Sequence, residues 1–147
     1  KSANKMGLIS ITSLMVLLIG INITNAGVTL EQMQKAGELI RGICQPKFKI
    51  SDEQAAQYGQ GIFPEDKNSK CYVNCIFENT QTMKRGKFQF DSAKKQAEIM
   101  LPEDMKEQTL KAMGICKDAA IGIKDPCEGS FTLLKCLHGN HENFFFP

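Results

Sequence analysis

The chain has 147 residues, with 18 Lys and Arg against 16 Asp and Glu. That is the length of one domain, and charges so nearly balanced and interspersed exclude a nucleic-acid or polyanion binder. Six cysteines in so short a chain point instead to an oxidising compartment and a framework of three disulfides.

Residues 1–26 read as an export signal. Lys1 and Lys5 give a basic start, residues 6–23 are almost wholly apolar or small, and Thr24-Asn25-Ala26 offers small residues for cleavage before Gly27. A membrane anchor is the other reading. The run is shorter than the roughly 20 apolar residues a span prefers, and Gly20 and Asn22 interrupt it. No stable membrane insertion is therefore expected. The leader holds two of the 18 basic residues and none of the acidic ones, so residues 27–147 balance at 16 against 16. That predicted mature domain can bury roughly 65% of its unfolded surface. Its one nearby sequon, Asn22-Ile23-Thr24, falls inside the leader, so no N-glycan is expected on it.

Helical periodicity dominates the chain beyond the leader. Thr29 and Gln32 make a capping box, and Leu30, Met33, Gly37, Ile40 and Cys44 then recur at helical spacing up to Pro46, which is expected to close the helix. Ser51 with Gln54 caps a shorter helix ending near Gly59 or Gly61, and a loop containing Pro64 runs on to Ser69. From there to about Lys84 the spacing predicts a central helix. Val73, Ile76, Phe77 and Thr80 fall on one face and Cys71 and Cys75 on the other. Asp91 is placed to cap a helix reaching Met100, stopped by Pro102. The next runs from about Pro102 to Ala120 and buries Met105, Ala112, Met113, Cys116 and Ala120. Pro126 suits the first position of a last helix, which carries Cys127, Phe131, Leu134 and His138 on one face and Cys136 opposite. A tail follows Gly139 and ends Phe144-Phe145-Phe146-Pro147. No segment alternates convincingly as a strand, so the class is all-α with about six helices.

Helical geometry restricts the cysteines. Cys71 and Cys75 are one turn apart with parallel side chains, a poor disulfide. Cys127 and Cys136 lie nine residues apart on opposite faces of one helix, roughly 13 Å in rise. Each of these two helices must therefore reach two different partners. A zinc site is not supported: the single Cys-x3-Cys with the late His138 and His141 lacks clustered ligand geometry. No metal or cofactor is expected.

The order Cys44, 26 residues, Cys71-x3-Cys75, 40 residues, Cys116-x10-Cys127-x8-Cys136 resembles the insect odorant-binding proteins, the pheromone- and general odorant-binding family, over the whole mature chain. The x3 and x8 gaps are its diagnostic elements. Gln45-Pro46-Lys47-Phe48-Lys49 and the aromatic-aromatic-Pro ending are similar to the LUSH-like subgroup. The resemblance implies pairing of first with third, second with fifth and fourth with sixth cysteine: Cys44–Cys75, Cys71–Cys127 and Cys116–Cys136. It also implies a compact six-helix domain around an apolar cavity, secreted into a lymph-like fluid, a monomer or weak homodimer. Such a domain carries small hydrophobic ligands such as alcohols, esters or aldehydes to olfactory receptors.

Composition suits a hollow core. The mature chain holds Met33, Met83, Met100, Met105 and Met113 and all nine phenylalanines, and methionine adapts to ligands of varied shape. Ordinary core packing accounts equally for any single one. The expected lining is Ile76, Phe77, Met83, Phe88, Phe90, Met113 and Phe131. Thr80, on the apolar stripe, is the expected polar anchor, although a helical Thr also bonds readily to the carbonyl four residues back. Thr82, Tyr58 and Tyr72 stand in reserve. Phe144, Phe145 and Phe146 are too apolar to leave in water and are expected to fold back as a cavity wall, with Pro147 near the surface. His138 and His141 stand just before them and titrate near neutrality, which would let acid release the tail. Two rival readings are an interaction protein with a filled core and a secreted lipid hydrolase. Neither His138-Gly139 nor His141-Glu142 gives the His-Asp pair of such a hydrolase, and no Gly-x-Ser-x-Gly is present, so no enzyme is expected.

Overall fold

Both capping boxes form. In the computed structural model, which describes residues 28–147, Gln32 N–H donates to the Thr29 hydroxyl at 3.2 Å while Thr29 N–H donates to the Gln32 side chain at 2.9 Å. Ser51 and Gln54 repeat the exchange at 3.2 and 3.0 Å. These caps start helix α1 (Leu30–Phe48) and helix α2 (Asp52–Gly59). Asp66 caps α3 (Lys67–Asn79) and Asp125 caps α6 (Pro126–Gly139), with Pro126 at its first turn. Between them lie α4 (Phe90–Met100) and α5 (Glu103–Cys116). The expected export signal, residues 1–26, lies outside the described residues.

Four boundaries differ from the sequence reading. Pro46 does not end α1, which runs two residues further. A proline this close to the end removes one helical hydrogen bond, to the carbonyl of Gly42, which is exposed and so open to solvent. The helix stops where Lys49 turns left-handed, φ 55°. The central helix α3 ends at Asn79, five residues early, because Gln81 takes φ 56° and reverses the chain. A two-stranded antiparallel ribbon follows, β1 (Met83–Lys84) against β2 (Lys87–Phe88), so the chain is not purely helical. Arg85 and Gly86 make its turn with φ 52° and 74°, the two positive values of a tight hairpin connection. Asp91 sits in the first turn of α4 rather than at its cap, which is Gln89. Finally, α5 ends at Cys116 and turns cover the residues to Gly122.

The most extensive helix interface joins α3 to α6, followed by α1 to α3. Tyr72, Val73, Ile76, Leu133 and Leu134 are almost completely buried there. The polar contacts across that seam are satisfied: the Ser130 hydroxyl donates to Asn74 Oδ1 at 2.8 Å, and Lys70 pairs with Glu128 at 2.8 Å. Cys44–Cys75 ties α1 to α3, Cys71–Cys127 ties α3 to α6, and Cys116–Cys136 ties α5 to α6, with Cα separations of 5.9, 4.5 and 5.8 Å. Cys71 and Cys75 thus reach different partners, as do Cys127 and Cys136. Closing loops of 56, 31 and 20 residues contributes about 3–4 kcal/mol each in the loop-entropy account. Among the described residues no helix is long and apolar enough to cross a membrane.

Candidate ligand-binding cavity

The interior is not filled. A cavity of about 490 Å³ opens between α1, the end of α3, α4, α5 and the C-terminal tail, with a mainly apolar wall. Small residues leave the space. Gly37 of α1, Ala93 and Ala97 of α4 and Ala112 of α5 all line it, and none carries a side chain larger than a methyl. Ile76 and Phe77 of α3, Phe88 of β2 and Met113 of α5 supply the bulkier lining.

The tail completes the wall. Phe144, Phe145, Phe146 and Pro147 all line the cavity. Phe146, 5% exposed, is the anchor. Its ring lies 5.5 Å from Tyr58, 6.4 Å from Tyr72 and 5.8 Å from Phe77, centroid to centroid. Pro147 is half-buried and seats on Gly37: a Cβ built on that glycine would stand 2.9 Å from the Pro147 Cβ. Pro147 therefore belongs to the wall as well as to the surface.

Three residues expected in the lining stand outside it. Met83 is buried where β1 packs on α3. Phe90 supports Phe88 edge-to-face at 6.0 Å instead of facing the space. Phe131 is buried in the α3–α6 seam, with the ammonium groups of Lys70 and Lys135 at 5.5 and 5.6 Å from its ring centre. The larger interface took that aromatic. The reserve tyrosines stand behind Phe146. The Tyr58 hydroxyl donates to the Ser69 carbonyl at 3.3 Å. The Tyr72 hydroxyl has no partner among the described residues, and burial pushes its pKa up to about 12.

Polar groups are few. Thr80 lines the cavity, and its hydroxyl oxygen lies 3.1 Å from the Ile76 carbonyl, 3.2 Å from that of Phe77 and 2.9 Å from the Thr82 hydroxyl. Thr80 has one proton. Sharing it between the two carbonyls and accepting from Thr82 accounts for all three contacts, and in this arrangement the Thr82 oxygen keeps free lone pairs at the wall. His141, 6% exposed, lines the cavity beside Thr109, whose oxygen is 3.0 Å from its Nε2. Burial holds the His141 pKa below its ordinary value, opposed by its own backbone and by Glu142. His138 is exposed at the end of α6, against Phe63 at 5.0 Å and Phe144 at 6.2 Å, although Phe131 and Leu134 on the same face are buried.

Gly37 and Ile40 stood out in the sequence only by their helical spacing and Met33 only as one of the methionines that suit a hollow core, and nothing singled out Ala93, Ala97 or Leu101 as lining, yet all six line the cavity. Ala93 and Ala97 lie four apart on α4 and, in the assembled fold, face the same space as the buried Gly37 of α1.

A helical shell tied by three staples, hollow, and walled on one side by residues 144–147 defines a carrier of small apolar molecules. Residues 26–140 match the model of the PBP/GOBP family, and the chain belongs to that family. It is 44% identical over 127 residues to general odorant-binding protein 19a of Drosophila melanogaster, covering 84% of this chain and 87% of that one. With general odorant-binding protein 72 of Anopheles gambiae it shares 41% identity over 120 residues, 82% of this chain and 99% of the other. Among solved structures, odorant binding protein 4 of Chrysopa pallens matches with a TM-score of 0.74 at 37% identity, over 82% of this chain and 99% of its own.

Proposed function

We propose that this protein is a secreted carrier that takes up small hydrophobic volatile molecules, odorants or pheromones such as alcohols, esters or aldehydes, without covalent chemistry. The cavity carries the reading. Its volume of about 490 Å³ falls in the usual 300–1,000 Å³ range of small-molecule sites. An interaction protein with a filled core would have no such space. Each methylene transferred from water into it contributes roughly 0.8 kcal/mol, offset in part by the entropy of binding. Orientation comes from the Thr82 oxygen, placed to accept from a ligand hydroxyl, with Thr80 holding it in position.

Residues 1–26 act in this reading as the export signal, and the extracellular fluid is where the carrier works, delivering ligand to a receptor. It performs no reaction. The test is displacement of a fluorescent apolar probe from the disulfide-intact protein by a panel of C8–C16 alkanes, alcohols, esters and aldehydes. Saturable displacement in the micromolar range supports the carrier. A protein that takes up neither the probe nor any member of the panel is not one.

A further inference from the structure

A second pocket, about 400 Å³ and polar, opens beside the ribbon and is lined by Gln81, Met83, Lys84, Arg85, Gln89 and Ser92, with Glu78 its only carboxylate. Gln81 also lines the apolar cavity, so one side chain stands between the two spaces. Thr80 and Thr82, on either side of it, line the apolar one. The local charge is unbalanced. Lys84 stands directly opposite Lys87 in the ribbon, an arrangement in which like charges repel. Neither of them, nor Arg85 at the turn, joins any ion pair among the described residues. The backbone is strained at the same place. Gln81 and Arg85 are two of the three described non-glycine residues with positive φ, at 56° and 52°. The facing like charges cost stability with no ion-pair partner to offset them, and the left-handed residues, which make the chain reversal after α3 and the turn of the ribbon, cost more than glycine would there. Such features collect at functional sites.

We propose that the polar pocket and the apolar cavity are two halves of one site for a single-chain carboxylate, the head group held by Lys84 and Arg85 and the hydrocarbon chain passing Gln81 into the cavity. The proposal rests on the carrier reading and adds an ionic ligand class to it. Cations at an open rim attract a carboxylate through water, so the preference is moderate and salt-sensitive. Glu78 opposes it.

The experiment compares dodecanoate, methyl dodecanoate and 1-dodecanol as competitors for a fluorescent apolar probe on the intact, disulfide-bonded chain at pH 7.5. At low ionic strength dodecanoate should compete about fivefold or more better than its methyl ester, and this advantage should shrink in 0.5 M salt, by roughly the screening expected at a rim. The double variant Lys84→Gln/Arg85→Gln should bring acid and ester together, and Glu78→Gln should widen the gap. Dodecanol, which needs neither cation, serves as the reference. If dodecanol competes but acid and ester are equal, or if the advantage of the acid survives the double variant, the two-part site is wrong and the carrier stands. If no competitor displaces the probe and the probe itself does not bind, the carrier reading fails and this proposal goes with it.

Discussion

Gly37 offers a direct handle on the tail. A Cβ at this position in α1 would lie 2.9 Å from the Pro147 Cβ, 3.3 Å from its Cα and 3.5 Å from the Phe145 ring. Ordinary carbon contacts need about 3.5–4.0 Å, so Gly37→Ala must push the chain end away by roughly 0.5–1 Å. Phe146 remains clamped by Tyr58, Tyr72 and Phe77, so the tail shifts without leaving. Two effects then oppose each other in stability. The helix gains about 0.5–1 kcal/mol from replacing an interior glycine, and the tail loses part of its seat. The net change in unfolding free energy should be within about 1 kcal/mol of zero, read by denaturant titration. Ligand affinity has no compensating gain. Moving Phe145 and Pro147 out of the wall removes on the order of 40 Å² of apolar contact with a bound chain, about 1 kcal/mol at 25 cal/mol per Å² and about fivefold in affinity. The decisive control is a cycle with the chain truncated before residue 142. Gly37→Ala should weaken probe binding in the intact protein and do nothing in the truncated one. An equal loss in both would show that the substitution acts through α1 itself, and the seating argument would be wrong.

Thr82→Val should weaken 1-octanol by about 1 kcal/mol, roughly fivefold, and leave octane unchanged; equal effects on both would remove its role as anchor. His141, whose folded-state pKa burial lowers, contributes stability that is complete above about pH 6.5 and declines as pH falls through that value toward the depressed folded pKa. Because Phe144 packs on its ring at 6.1 Å, probe affinity should fall between pH 7 and pH 5, and His141→Phe should flatten that profile. An unchanged profile in the variant would assign the pH effect to another group. Replacing Cys116 and Cys136 together by Ala should lower unfolding free energy by about 3 kcal/mol, and a loss well below 1 kcal/mol would show that packing alone holds α5 on α6.

The helices were largely legible because their signals are local. Thr29 with Gln32, Ser51 with Gln54 and Pro126 act within one turn, and the structure uses all three. The ribbon was not legible, because two-residue strands are too short to show alternation. Only Arg85-Gly86 marked the turn, and Gly86 serves equally well as a helix terminator. Inside the cavity, Ile76 and Phe77 were readable from the stripe on α3. Phe131 was misassigned because a stripe says that a residue is buried without saying against what. Its helix faces both the seam with α3 and, at Leu137, the cavity. The lining alanines were invisible for a related reason: a small side chain is compatible with close helix packing and with empty space, and only the assembled fold distinguishes them.

The staples and the void belong to one argument. At about 24 cal/mol per Å³, the cost seen when cores are emptied, a rigid dry cavity of about 490 Å³ would cost roughly 12 kcal/mol. Water in an open cavity lowers that figure. The three disulfides contribute about 3–4 kcal/mol each, roughly 11 kcal/mol together, of the same order as the cost of the void. A domain of this size held by packing alone has only about 5–15 kcal/mol in total, so a hollow of this volume would consume most of its stability or collapse. Staples answer this because they act on the unfolded chain and do not require atoms in the space between the helices they join. Cys44–Cys75 and Cys116–Cys136 fix helices that bear on the cavity, α1 and α3 on one pair and α5 and α6 on the other. Covalent ties can therefore hold the wall in place whether the cavity is empty or occupied, which is what a carrier that must load and unload requires.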